Sequence, residues 1–391
     1  MSGKRLYVIA GEASGDLHGA NFLKALYAKD PTIEVRAWGG DRMQAEGAHI
    51  VKHYRELAFM GFAEVVKNLR TILRNINACK EDIAGWKPDA LVLIDYPGFN
   101  LRIAEWAHER GIKVLYYISP QIWAWKKGRV QTIKRVVDRM FTILPFEKEF
   151  YANYGMDVEF VGHPLLDEIS RLTPGPSPVE RGVEAERLSP HVSPSPVERG
   201  PGGEAIIALL PGSRRQEIST MLPVMLAVAK RFPAYRFVVA AAPSVPRSYY
   251  QEMMKGSDAQ LVVGDTYGVL RKSKAALVTS GTATLETALF GVPMAVCYKG
   301  SALNVWLAKR LVKVKYISLV NLIMDEPVVR ELIQEEMNED LLGRELDSLL
   351  HDAGYRSTQE RHLADLLHVL GGPGASARVA DGVWKSLNSA G

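Results

Sequence analysis

The chain has 391 residues, is 47% hydrophobic and carries a formal net charge of +4, which is enough apolar material for two ordinary cores. So small a charge over this length argues against a nucleic-acid binder, and any electropositive surface must be local. Two cysteines, Cys79 and Cys297, supply neither a disulfide framework nor metal-ligand spacing, and no run approaches the ~18 apolar residues of a spanning helix.

Along the chain, short β-rich runs alternate with longer helical patterns. Leu6–Ala10, Ile33–Trp38, Ala90–Ile94, Val114–Ile118, Met140–Leu144 and Val158–Val161 read as strands in the first half. Leu6–Ala10 is too short for the apolar region of a signal peptide and suits a first strand better. The second half offers Ile206–Leu210, Phe237–Ala241, Gln260–Val263, Ala275–Val278 and Met294–Val296. Helical patterns cover Leu17–Lys29, Asn100–Arg110, Met221–Arg231 and Thr282–Phe290 between them. Near-continuous apolar strands separated by helices predict an α/β fold of two doubly wound parallel sheets, with ligands at the carboxyl ends of the strands. After Pro327 the pattern is helical, at Asp340–Leu350, Ser357–Leu370 and Ala375–Leu387.

The two sets are separated by Thr173–Glu204, rich in Pro, Ser, Gly, Glu and Arg, in which Pro-Ser-Pro-Val-Glu-Arg-Gly occurs at 176–182 and again at 194–200. With so little apolar surface the segment reads as a disordered insert. The expected division is therefore 1–172, the insert 173–204, and 205–391. The terminal helices of the last part are free to pack back on the first or to swap with a partner copy.

Several strand ends carry residues suited to chemistry. Ser280-Gly281-Thr282-Ala283-Thr284-Leu285-Glu286 joins a strand to a helix, where unpaired N–H groups and the helix dipole suit a diphosphate, and Glu286 can accept from a ribose diol. Leu210-Pro211-Gly212-Ser213-Arg214-Arg215 is a second such junction. The loop Gly11-Glu12-Ala13-Ser14-Gly15-Asp16 fits neither a P-loop nor Gly-x-Gly-x-x-Gly. Its glycines permit a close ligand approach, while a tight turn with Ser14 or Asp16 as a helix cap is the plainer reading. Asp95 closes a buried strand, where partial burial would tune it as a general base; alternatively it caps the helix that follows. Trp123 and Trp125, beside Lys126, Lys127 and Arg129, suit a sugar and a phosphate, or plug the domain edge. Phe62, Val65, Val66, Leu69, Ile72, Leu73 and Ile76 recur at helical spacing among cations, suited to a membrane interface or acyl chains, or to ordinary packing. A second basic-aromatic stretch, Trp306 with Lys309, Arg310, Lys313 and Lys315, could meet an anionic surface.

Taken in order, Gly-Glu-Ala-Ser-Gly-Asp (11–16), Arg-Met-Gln-Ala-Glu-Gly (42–47), Ser-Pro-Gln-Ile-Trp-Ala-Trp (119–125), Leu-Pro-Phe-Glu-Lys (144–148), Gly-His-Pro (162–164), Leu-Leu-Pro-Gly-Ser-Arg (209–214) and Ser-Gly-Thr-Ala-Thr-Leu-Glu (280–286) resemble the lipid-A-disaccharide synthases. Trp-Leu-Ala-Lys-Arg-Leu-Val-Lys (306–313), Ser-Leu-Val-Asn-Leu (318–322) and Leu-Ile-Gln-Glu-Glu (332–336) extend the likeness over nearly the whole chain. The resemblance implies a GT-B glycosyltransferase of lipid A biosynthesis, with a cleft between an N-terminal acceptor domain and a C-terminal UDP-sugar domain. It implies a peripheral enzyme on the cytoplasmic face of a Gram-negative inner membrane, which joins UDP-2,3-diacylglucosamine to 2,3-diacylglucosamine 1-phosphate and needs no metal or other cofactor. By position, Asp95 and Arg214 match the family's essential residues. Ser213, Ser280, Gly281, Thr282, Glu286, Asn321 and Gln334 match the stretches around UDP. Glu12, Ser14, Asp16, Trp123 and Trp125 are expected at the acceptor side. The family often has a second acid three residues after the first; here that position is Gly98. Two other readings are a UDP-N-acetylglucosamine 2-epimerase on a similar fold and a non-catalytic lipid-binding relative.

Overall fold

The computed structural model describes residues 3–57, 69–125, 127–172, 205–300 and 315–389. The chain divides into two compact units, Met1–Leu172 with Leu370–Gly391, and Thr173–Val369. The insert 173–204 lies outside the described residues.

The first unit holds a seven-stranded sheet in the order β3-β2-β1-β4-β5-β6-β7, all of its pairings parallel. Its strands are β1 (Arg5–Ala10), β2 (Glu34–Gly39), β3 (His49–His53), β4 (Ala90–Ile94), β5 (Lys113–Tyr117), β6 (Arg139–Thr142) and β7 (Glu159–Phe160). Alternation along β1 explains its unbroken apolar run. Leu6, Val8 and Ala10 enter one core, Tyr7 and Ile9 the other, so both faces are buried. The helix Ala375–Asn388 belongs here, since its Val379, Ala380, Val383 and Leu387 share the core of Leu6 and Val8. Asp167 caps it by accepting from the N–H groups of Gly374, Ala375 and Ser376, and Arg378 Nε donates to Val161 O at 2.7 Å.

The second unit repeats the plan with β8 (Ile206–Leu210), β9 (Arg236–Ala241), β10 (Gln260–Val263), β11 (Ser273–Thr279), β12 (Met294–Tyr298) and β13 (Arg330–Ile333). These form one parallel sheet in the order β10-β9-β8-β11-β12-β13. The edge strands β3 and β13 were not legible as apolar runs. His-Ile-Val-Lys-His and Arg-Glu-Leu-Ile carry charge because an edge strand keeps one side open to water.

In both sheets the strand order reverses beside the first strand, between β1 and β4 and between β8 and β11. That crevice is where doubly wound sheets bind ligands. Register aligns the strand ends there, with Ala10 opposite Ile94 and Leu210 opposite Val278. Consequently the loop 11–16 emerges beside Asp95, and the loop 211–214 beside 280–282.

Candidate active site

In the first unit, Asp95 follows β4 in the left-handed region (φ 45°), as does Tyr96 (φ 48°). Such backbone costs about 1–3 kcal/mol per residue and persists only where its surroundings hold it. Here the Asp95 carbonyl accepts from Tyr116 Oη at 2.6 Å and from Asn100 Nδ2 at 2.7 Å. Gly11 makes room opposite, because a Cβ there would stand 2.3 Å from the Tyr96 ring. Gly11, Glu12, Ser14, Gly15, Ile94, Asp95 and Tyr96 together line a small hollow. Burial raises the Asp95 carboxyl to about 6, and the charge of Glu12 adds to the shift, while the Tyr96 N–H opposes it. Pro97 opens the next helix, and its start has no side-chain cap, so Asp95 is not a capping residue.

Two residues expected at the acceptor side are engaged within the unit itself. Asp16 is tied into the fold: its buried carboxylate accepts from Gly40 N at 2.7 Å, Arg42 N at 3.1 Å and Met43 N at 3.1 Å, linking the first helix to the segment after β2. Trp123 is no open stacking platform; it is 9% exposed and packs edge-on against Phe146 at 5.0 Å. His18 is buried against its own unit, 7% exposed. The side chains of Trp125 and Leu69, and all of Phe62, Val65 and Val66, lie outside the described residues. The described helix Leu69–Trp86 sends Ile72 to the core and leaves Leu73 exposed.

In the second unit, Gly281 (φ 152°) precedes the helix Thr282–Leu289, whose first turn has no side-chain cap. The donors are fewer than the sequence suggests. Ser280 N–H bonds Cys297 O at 3.0 Å and its hydroxyl bonds Ile317 O at 2.9 Å, while Thr284 N–H bonds Gly281 O at 3.1 Å. Gly281, exposed Thr282 and Ala283 begin the helix beside the positive end of its dipole. Four residues into that helix, Glu286 is half-buried, its carboxyl raised by burial, and Oε1 accepts from Tyr267 Oη at 2.9 Å.

The loop after β8 is also altered. Glu217 Oε2 accepts from Ser213 N at 3.0 Å and Arg214 N at 3.3 Å, so these N–H groups are already engaged. An acid three residues into a helix is the sequence signal for such a reciprocal cap. Asn321 is likewise engaged within the fold. It is 1% exposed, its Nδ2 donates to Val329 O (2.8 Å) and Glu331 Oε1 (3.0 Å), and its Oδ1 accepts from Val329 N (2.9 Å). Glu331 also accepts from Ile317 N and Ser318 N, so this network positions the carbonyl that holds Ser280. Gln334, by contrast, stands in the left-handed region (φ 59°) just after β13, with its Nε2 buried and without a partner among the described residues. A strained residue with an unmet donor at a strand's carboxyl end suits a ligand contact. Lys315, the described end of the second basic stretch, pairs with Asp325 at 3.5 Å and lies over the Tyr316 ring.

A family model described as lipid-A-disaccharide synthetase matches residues 6–371. The chain belongs to the lipid-A-disaccharide synthase family. A lipid-A-disaccharide synthase of Trichlorobacter lovleyi is 40% identical over 385 residues, covering 96% of each chain. That of Geobacter sulfurreducens is 39% identical over 389 residues, 98% of this chain and 97% of its own. Among solved structures, a UDP-GlcNAc 2-epimerase from Neisseria meningitidis bound to UDP-GlcNAc aligns with a TM-score of 0.64 at 13% identity, over 97% of this chain and all of that one. An S. aureus MnaA–UDP complex aligns with a TM-score of 0.66 at 13% identity, over 98% of this chain and 97% of its own. At that identity they establish the fold alone, that of the GT-B glycosyltransferases and epimerases. Family membership makes this chain a glycosyltransferase of lipid A biosynthesis. No described helix is long and apolar enough to cross a membrane.

Proposed function

We propose that the enzyme joins UDP-2,3-diacylglucosamine to 2,3-diacylglucosamine 1-phosphate by an inverting displacement. Asp95 takes the proton of the acceptor 6-hydroxyl as that oxygen bonds the anomeric carbon. The bond from this carbon to the diphosphate breaks, and UDP carries away the electron pair. The helix start at Gly281–Ala283 and Arg214 stabilise the departing charge, Glu286 holds the ribose, and Gln334 contacts the donor. The observation that carries the reading is the strained, half-buried Asp95 carboxyl, raised to about 6 at the switch point of its sheet.

Glu12 and Ser14 belong to the acceptor side of this hollow. Exposed Leu73, with Arg70 and Arg74 on the same helix, supports a peripheral place on the cytoplasmic face of the inner membrane. Mass spectrometry of the products from both lipids in detergent tests the reaction. Asp95→Asn should retain UDP binding and lose the disaccharide; full turnover by that variant would remove Asp95 as the base, and product from the donor alone would indicate an epimerase.

A further inference from the structure

Glu286 is the one proposed nucleotide contact whose carboxylate is already gripped by a neighbouring side chain. Tyr267 is the second residue of the helix Thr266–Lys272, and its position is set by Asp265, whose side chain caps that helix by accepting from Gly268 N at 2.9 Å. The Tyr267 ring packs against Phe290 at 5.2 Å between centroids, one turn beyond Glu286. Its hydroxyl donates to Glu286 Oε1 at 2.9 Å, while Oε2 has no hydrogen bond among the described residues. Both side chains are half-buried.

Two consequences follow from elementary chemistry. A carboxylate held by one oxygen cannot rotate freely, so the other oxygen keeps a defined direction. A phenol O–H donated to a carboxylate favours its ionised form, opposing the burial that pushes Glu286 upward. Diol recognition needs both properties, since a protonated or rotated carboxyl is a poor acceptor for two hydroxyls.

We propose that Tyr267 is a positioning residue for Glu286, keeping its carboxylate oriented and charged so that it discriminates ribose from 2′-deoxyribose in the bound nucleotide. The inference rests on the reading of Glu286 as the ribose contact, and the test separates the two. The full-length enzyme and its Tyr267→Phe and Glu286→Gln variants are titrated calorimetrically with UDP and with 2′-deoxy-UDP, at pH 8 and pH 6. The native enzyme should prefer UDP by about tenfold, the worth of one hydrogen bond to a charged group. Glu286→Gln should erase most of that preference. Tyr267→Phe should reduce it severalfold at pH 8, and further at pH 6 as the unsupported carboxyl takes up a proton. An unchanged preference in Glu286→Gln removes the ribose contact, and with it the role of Tyr267. Loss in Glu286→Gln with full, pH-independent preference in Tyr267→Phe leaves the ribose contact standing and reduces Tyr267 to packing against Phe290. A matching weakening of both nucleotides in Tyr267→Phe, with their ratio intact, also overturns the proposal.

Discussion

Glu217 holds Arg214 twice: one carboxylate oxygen accepts its backbone N–H at 3.3 Å, and the other accepts its guanidinium Nη1 at 2.9 Å. The side chain proposed to stabilise the leaving diphosphate therefore lies against a carboxylate in the first turn of the helix Arg215–Ala229. The Arg214 side chain is 62% exposed, and such pairs contribute only about 0–1 kcal/mol, so a diphosphate with its greater charge can compete for it.

Glu217→Gln keeps an acceptor for the Ser213 and Arg214 N–H groups but removes the competing charge. UDP should bind roughly two- to fivefold more tightly, an effect of the size expected for an exposed ion pair. Calorimetric titration at low salt measures it. Weaker binding would mean that Glu217 orients Arg214 for the diphosphate and does not compete with it.

The Asp95 carboxyl must be ionised to accept a proton. With its value near 6, kcat/KM should rise with pH through about 6 as a single-proton limb. Removing the neighbouring charge with Glu12→Gln should move that limb to lower pH. A flat profile from pH 5 to 7 would show that another group sets the rate.

Asn321→Ala should destabilise the fold while sparing ligand affinity. It strands Val329 N–H and C=O in the interior, at a cost of about 1–3 kcal/mol for each unmet group. Denaturant unfolding checks the stability, and UDP titration of the folded fraction should give a dissociation constant within about threefold of native. A tenfold or larger loss of UDP affinity without destabilisation would restore Asn321 as a ligand contact.

Two buried histidines predict sensitivity to acid. Burial lowers His18 to about 4 and His163 to about 3, well below the ordinary value of 6.5, so both are neutral in the folded state at pH 7. Below about 6.5 the unfolded chain binds protons that the folded chain refuses. Stability is therefore full above that pH and lost as pH falls toward 4, by up to about 1.4 kcal/mol per pH unit for each histidine. Urea midpoints between pH 7 and 5 should fall steeply, and His18→Gln should flatten that fall. An unchanged slope in the variant would exclude His18 as a source.

Gly98, where the family often has an acid, sits exposed in the first turn of its helix, and a Cβ built there meets nothing within 4 Å. Gly98→Ala should thus stabilise the helix by about 0.5–1 kcal/mol. Thermal unfolding measures this; a lower midpoint would reveal a constraint on backbone or helix entry that the open space does not suggest.

Much of the architecture was legible because buried parallel strands must be apolar on both faces. Ala90–Ile94, Ile206–Leu210 and Gln260–Val263 were located to the residue, and the polar residues ending such strands marked the ligand-binding edge. Motif order alone also indicated the family. The sequence by itself could not say what each polar side chain touches. Asp16 and Asn321 look like ligand contacts, but backbone groups of other elements meet their hydrogen bonds, 24 residues away for Asp16 and eight for Asn321, and a buried donor or acceptor takes whichever partner the fold brings near. Tertiary structure also decided that Leu370–Gly391 returns to the first unit, since an amphipathic helix encodes an apolar face and not which core receives it.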